Sequence, residues 1–546
     1  MKRKILSLML ACTMVFSVCA CDASSDSTPE SSGKGETYQF VSVFSNSEEI
    51  MLASGASESF MIDKDISGKE YVKLTIKTNA NLLGEFIYSN VNNPSQIVKE
   101  EFFIEPSSKT VEFKQFLDAF RDNGVGLFDK HLISITLKNL DSHTAEVQFS
   151  DVSVTDREVP AFEKEIYIEK DNLKVGADLA MGGTLSYLEK TSWEGLTIDE
   201  VIDYNNNIYI GVNAKENADV ELSSSVNLIN ICDAGREFQQ SYYADIGGSM
   251  EEATGANGYD RRWSYTATRE GYYWPYNPVQ GGDEVCNLSQ IIDYEVSDNS
   301  IYVKVRAMDW GNGSARPEHK GDDYEEVKFG RTTKSYMENW YTIKDGMLYV
   351  ENRFIDWNGF TDMENIPLHT LEIPAAYVVH PLSTYVCYTG NDPWNLEDTS
   401  YDKQPKLLGW WDENAHVNNH HPEDWFAWVN DDDFGVGVYV PGAASYVSGR
   451  NDVESSFSVH NNQTAYESKM ATDYLFNKKA PTSKYTSCYV GNTSYTAPVV
   501  AVRMKEYVPL SYTYVVAVNY LDIMRKDFKS IYEKGEMTNQ GLKAWD

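Results

Sequence analysis

Two runs of this chain mix charged or amide side chains with glycine and aromatics without strand alternation. They are Asp233-Ala-Gly-Arg236 to Tyr243, and Asn277-Pro-Val-Gln-Gly-Gly-Asp283. Polar residues on loops above a rigid sheet are where sites usually sit. Arg236 could hold a carboxylate bidentately, and Gln239, Gln240, Gln280 and Asp283 could pair hydroxyls. The structural reading of the same residues is that the glycines make tight turns and Arg236 ties loops together.

A third candidate surface lies on a strand. Alternate strand residues share a face, so Tyr336, Glu338, Trp340 and Thr342 lie together, and Tyr349, Glu351 and Arg353 share a side of the next strand. Aromatic faces flanked by carboxylates and arginine suit a ligand with CH-rich faces and many hydroxyls. The alternative is a solvated outer face on which Glu and Arg pair with little energetic consequence.

His369 and Glu372 stand three apart, before Pro374. Positions i and i+3 of a straight strand face opposite ways, so only a bend or bulge would bring both to one site. Without it they are a packing histidine and a surface glutamate. His416, His420 and His421 precede Pro422-Glu-Asp-Trp425. His420 or His421 could act as general acid or base beside Asp424, with Trp425 as a stacking platform. Asn418 and Asn419 favour a loop and no cysteine assists, so no metal site is expected there. Asp431 to Asp433 reads as a turn, since EF-hand spacing is absent. GxSxG, HExxH, Walker A and strand-following GxGxxG patterns are missing, which argues against serine hydrolase, zinc protease and nucleotide-dependent enzyme. No cofactor is expected.

The elements that must position these residues are strands. Tyr71–Lys77, Leu83–Tyr88, Leu132–Leu137 and Ala145–Phe149 mostly alternate apolar with polar residues, as half-buried antiparallel strands require. A short helix is predicted over about 111–121. Further on, 336–343 and 347–355 flank Asp345-Gly346 and predict a hairpin, and Phe434 to Val440 predicts another strand. No βαβ alternation or repeat of 20–50 residues is evident, against Rossmann folds, TIM barrels and solenoids. Leu521, Met524, Phe528 and Ile531 predict a helix over 520–532. The fold class is therefore mainly β. An N-terminal, jelly-roll-like β-sandwich module over 37–157 precedes a larger antiparallel β region over 165–535. Eleven of the twelve tryptophans lie between Trp193 and Trp428, and the first 192 residues have none. That makes the module a spacer rather than a ligand binder in this reading.

The chain has 82 acidic and 47 basic residues among 546, a net charge of −35. Such a surface repels phosphate backbones and disfavours a nucleic-acid partner. Lys2, Arg3 and Lys4 followed by an apolar run to Ala20 read as a secretory signal over 1–20. Val18-Cys19-Ala20-Cys21 resembles the lipobox of bacterial lipoproteins, which implies that Cys21 is acylated and that 21–36, rich in Ser, Asp and Gly, is a flexible tether. The expected location is the bacterial cell surface, with the folded part extracellular and a lipid anchor as its only membrane contact. Cys232, Cys286, Cys387 and Cys488 are widely spaced; one or two disulfides and four buried thiols both remain open.

Several phrases resemble the galactose-mutarotase-like supersandwich superfamily, which includes aldose epimerases and domains of many glycoside hydrolases and polysaccharide lyases. They are Val175-Gly-Ala-Asp-Leu-Ala-Met-Gly-Gly-Thr-Leu-Ser-Tyr187, the segments 230–243 and 276–283, Ile366-Pro-Leu-His-Thr-Leu-Glu-Ile-Pro-Ala-Ala-Tyr377, and Glu423-Asp-Trp-Phe-Ala-Trp428. The resemblance covers about 165–535. It implies a large antiparallel supersandwich, whose fold hosts epimerases, hydrolases, lyases and binders alike. The superfamily's epimerases use a His and a Glu, which draws attention to His369 and Glu372. The implied partner is a poly- or oligosaccharide. A glycosidase would draw two carboxylates from Asp283, Glu338, Glu372 and Asp424. A lyase would use His421 or Tyr243 as base, with Arg236 or Arg262, beside Trp263, neutralising a uronate. A non-catalytic glycan-binding lipoprotein serving carbohydrate uptake is the alternative.

Overall fold

The computed structural model describes residues 40–69, 71–116, 130–155, 165–192, 227–229, 237–244, 263–269, 272–275, 278–282, 288–309, 332–357, 369–379, 382, 384–405, 416–417, 422–441, 453–464, 493–502, 507 and 509–535. Glu36–Asp546 forms one compact unit. Cys21, Arg236, Arg262, Asp283, His420 and His421 lie outside the described residues, as do Cys232, Cys286 and Cys488.

The N-terminal residues build two antiparallel sheets. Strands Phe40–Ser45, Ala145–Thr155, Tyr71–Thr78 and Ser107–Phe116 pair in that order, with Glu49–Leu52 also on Ala145–Thr155. Ser57–Asp65, Lys130–Asn139, Leu82–Asn90 and Asn93–Ile104 form the second sheet. Their inward residues, among them Leu74, Ile76, Phe86, Ile135 and Val147, are fully buried. The helix expected over 111–121 is not formed at its start. Val111 to Phe116 pair as a strand with Tyr71 to Ile76, because the register that buries Leu74 and Ile76 extends into them.

From Glu165 onward, eighteen strands among the described residues form one connected antiparallel network that closes over a second core. One layer contains Glu165–Lys170, Leu173–Asp178, Thr184–Lys190, Phe238–Ala244, His369–Val379, Thr493–Val502 and Val453–Thr464. The other contains Gln290–Val296, Ser300–Asp309, Thr332–Lys344, Met347–Asp356, Leu510–Tyr520, Phe434–Tyr439 and Trp425–Val429. The mainly β fold class with large antiparallel sheets is thus realised. The 332–356 hairpin turns where Asp345-Gly346 predicts, with both residues at positive φ (54° and 72°). Such a two-residue turn matches the twist of the strands it joins.

The second layer's outer face carries the helix Leu521–Lys534. Leu521, Met524, Phe528 and Ile531 pack on Trp425, Ala427, Tyr439 and Val515. Glycine at 437 lets the helix approach closely, since a Cβ there would crowd Met524 Sδ (3.0 Å) and Phe528 (3.1 Å). Gly535, left-handed at φ 61°, ends the helix by donating to Ile531 and Tyr532 carbonyls.

Candidate functional site

Strand 238–244 sits where the first layer meets the turn after Pro278–Val279. Phe238 and Tyr242 face the core. Gln240 faces it too, accepting from Tyr242 Oη (2.7 Å) and donating through Nε2 to Glu338 O (2.8 Å) and Asn339 Oδ1 (2.9 Å) in the opposite layer. Gln280 completes a brace. Its Oε1 accepts from Gln240 N–H (3.1 Å), and its Nε2 donates to Gly182 O (3.1 Å) and Tyr341 Oη (3.4 Å). Tyr341 in turn donates to Gly183 O (3.0 Å). Both glutamines are 0% exposed. The expectation that they pair ligand hydroxyls is therefore corrected: their amides are spent on the protein and lock 238–244 in place. Gly182, at φ 61°, is demanded by this contact, because a Cβ would lie 2.0 Å from Gln280 O.

Alternation sends Gln239 and Ser241 to the other face. Gln239 Oε1 accepts from Gly281 N–H (2.8 Å), drawing the 280–282 turn over that face. Ser241 pairs with Glu372, which has Val499 on its other side. Glu372 is half-buried, and strands on both sides fix its backbone. Next along the register stand Tyr243 opposite Thr370, and Ala244 opposite His369. The bulge in this strand falls between Glu372 and Ala376, around Pro374. From His369 to Glu372 the register is unbroken, so the bend required to bring these two to one face is not between them.

The other candidates lie elsewhere. Glu338 and Trp340 are on the outer face of the second layer. Arg353, Glu338's cross-strand partner, binds it at 2.5 Å and also Glu105 of the N-terminal sandwich. Tyr302 Oη donates to Glu338 at 2.7 Å and its ring lies 5.1 Å from that of Trp340. Burial raises the Glu338 carboxyl, but Lys304, Arg353 and the bonds from Tyr302 and Arg353 outweigh it and hold it below the usual carboxylate range. A carboxyl so held stays ionised at neutral pH and is tied to Arg353 and Tyr302. Trp425, 2% exposed, donates Nε1–H to Glu423 Oε2 (2.6 Å) and offers no stacking face, a second correction. Asp424, half-buried at φ 54°, joins the two, its carbonyl accepting from Val440. Trp263 begins the strand Trp263–Arg269, opposite Pro275. Cys387 is a free thiol that burial pushes up to about 12.

Sequence reasoning missed Ser241, the Gly182 and Gly183 carbonyls that receive the brace, and Glu423. One signal was legible: Arg525 falls four residues after Leu521, on the helix's apolar stripe, where an arginine must have a buried partner.

No family model matches the chain, and no curated protein is significantly similar in sequence. Solved structures align with parts of the chain at low similarity. A galactose mutarotase related enzyme from Lactobacillus acidophilus aligns over 65% of this chain and 97% of its own, at 10% identity and a TM-score of 0.28. An alpha-mannosidase from Enterococcus faecalis aligns over 90% of this chain but 44% of its own, less than half its length, at 8% identity and TM-score 0.29. A family 29 carbohydrate-binding module complexed with cellulohexaose aligns over 22% of this chain and 91% of its own, at 11% identity and TM-score 0.17.

Proposed function

We propose that the protein acts outside the cell on a poly- or oligosaccharide, as a glycoside hydrolase or polysaccharide lyase, tethered by a lipid on Cys21. The observation that carries the reading is Glu372. It is a half-buried carboxylate on a strand paired to the braced 238–244 strand, opposite Ser241, which alternates with the core-facing Gln240 and Tyr242. Fixed placement of one acid–base group at a solvent-reachable face is what proton transfer to a glycosidic oxygen, or from a sugar carbon, requires.

In a hydrolase Glu372 works with a second carboxylate, and Asp283 is the partner proposed. It directly follows Gly282, the end of the turn that Gln239 draws onto the face shared by Ser241 and Glu372. In a lyase Tyr243 takes the proton while Arg236 or Arg262 neutralises the uronate. The test uses the chain from residue 37 against neutral and uronate-containing polysaccharides. Reducing ends without ultraviolet absorbance mean hydrolase, and both together mean lyase. If neither forms, while a glycan quenches tryptophan fluorescence, the enzyme reading falls and glycan capture replaces it.

A further inference from the structure

The strand Asn93–Ile104 and the residue just after it present one alternating set of side chains to the large sandwich. Glu101 pairs with Lys334 (2.6 Å), Phe103 stacks on Tyr507 and Trp357 (centroids 5.4 and 6.1 Å), and Glu105 pairs with Arg353. At the same edge Glu100 binds Arg306 at 3.2 Å, with the two side chains only 8% and 7% exposed. Tyr88 donates to the other Glu100 oxygen (3.3 Å), and Arg306 Nε to Thr333 O (3.1 Å). Tyr71 Oη reaches Ile291 O at 3.1 Å. Ile292, Tyr336, Ile355 and Trp357 of the large sandwich belong to the same continuous core as the N-terminal strands.

We propose that the N-terminal sandwich is a permanent cover of the large sandwich, and that the two fold and unfold as one cooperative unit. Parting them would expose a joint apolar core and strand the buried charges of Arg306 and Glu100 without each other, a costly state. The surface of 93–104 that the contact consumes is then closed to ligands, and the module has no independent capture role there. The inference does not depend on the chemistry proposed for Glu372.

Every tryptophan lies at or beyond residue 193, and Trp357, which stands in the joint core, is first changed to Phe in both proteins compared, so that the remaining tryptophans report on the large part alone. Val147, fully buried in the N-terminal core, is changed to Ala in the chain from residue 37, and unfolding is followed by tryptophan fluorescence and far-ultraviolet circular dichroism. Coupling predicts that the fluorescence midpoint falls by a few degrees and coincides with the dichroism midpoint. A fluorescence midpoint that stays at the wild-type value, or a dichroism curve split into two transitions, would overturn the proposal. If Val147→Ala does not fold, Ile76→Val, which removes a single methylene from the same core, gives the same readout with a smaller shift.

Discussion

Arg525 and Glu423 form a two-point ion pair inside the protein. Nε donates to Oε2 at 2.9 Å and Nη2 to Oε1 at 2.6 Å, and each side chain is 1% exposed. The remaining guanidinium hydrogens go to Asp398 O (2.6 Å), Tyr401 Oη (3.3 Å) and Asn395 O (3.1 Å), and Tyr388 lies 4.4 Å beneath the cation. Trp394 N–H and Trp425 Nε1 complete the carboxylate, each at 2.6 Å. The knot fastens the C-terminal helix and the 390–400 loop to the strand after Glu423. Arg525→Met leaves the carboxylate buried without its cation and lowers stability by about 3–5 kcal/mol. Urea unfolding measures this. Arg525→Lys recovers only part, since an ammonium cannot reproduce the planar two-point contact.

Glu338 gives stability a defined pH dependence. Its folded-state pKa is depressed, so its contribution is complete above the ordinary carboxyl value of about 4.3 and fades as pH falls through the folded value. Wild type is therefore more stable than Glu338→Gln at pH 7, and the gap narrows as pH falls below the ordinary carboxyl range. Urea midpoints at pH 7 and below that range check the sign. A gap that widens on acidification contradicts the ion-pair assignment.

Gly182→Ala places a Cβ 2.0 Å from the Gln280 carbonyl and puts alanine at φ 61°. Strain at such a position costs about 1–3 kcal/mol, beyond the displacement of the turn. Because that turn lies over the face of Ser241 and Glu372, activity falls as well as the melting temperature. Gly55→Ala, also at positive φ but with open space around it, shows the backbone cost alone and leaves activity intact.

Much of the fold is legible because local pattern and tertiary structure agree. Asp345-Gly346 sets the hairpin, and the expected face pairs Glu338 with Arg353 and Trp340 with Glu351 as alternation requires. The helix begins at Leu521 and carries the predicted stripe. Segment 111–116 misleads because it holds no Gly or Pro that would stop a helix, and only pairing with 71–76 decides. At the site, glutamine looks the same in sequence whether it meets a ligand or a carbonyl. Gln280 is satisfied by Gly182, 98 residues earlier, a proximity no local spacing encodes. Trp425 deceives likewise: its polar neighbour Glu423 signals a buried partner as well as it signals a sugar platform.

The hydrolase reading rests above all on Glu372 as the group that transfers the proton. Once the polysaccharide panel has yielded a substrate, the decisive measurement is kcat/KM of Glu372→Gln against wild type, with the melting temperature recorded for both. The account predicts a loss of about 10²–10⁴-fold with the fold intact. Turnover within a few-fold of wild type in a folded Glu372→Gln protein would contradict it.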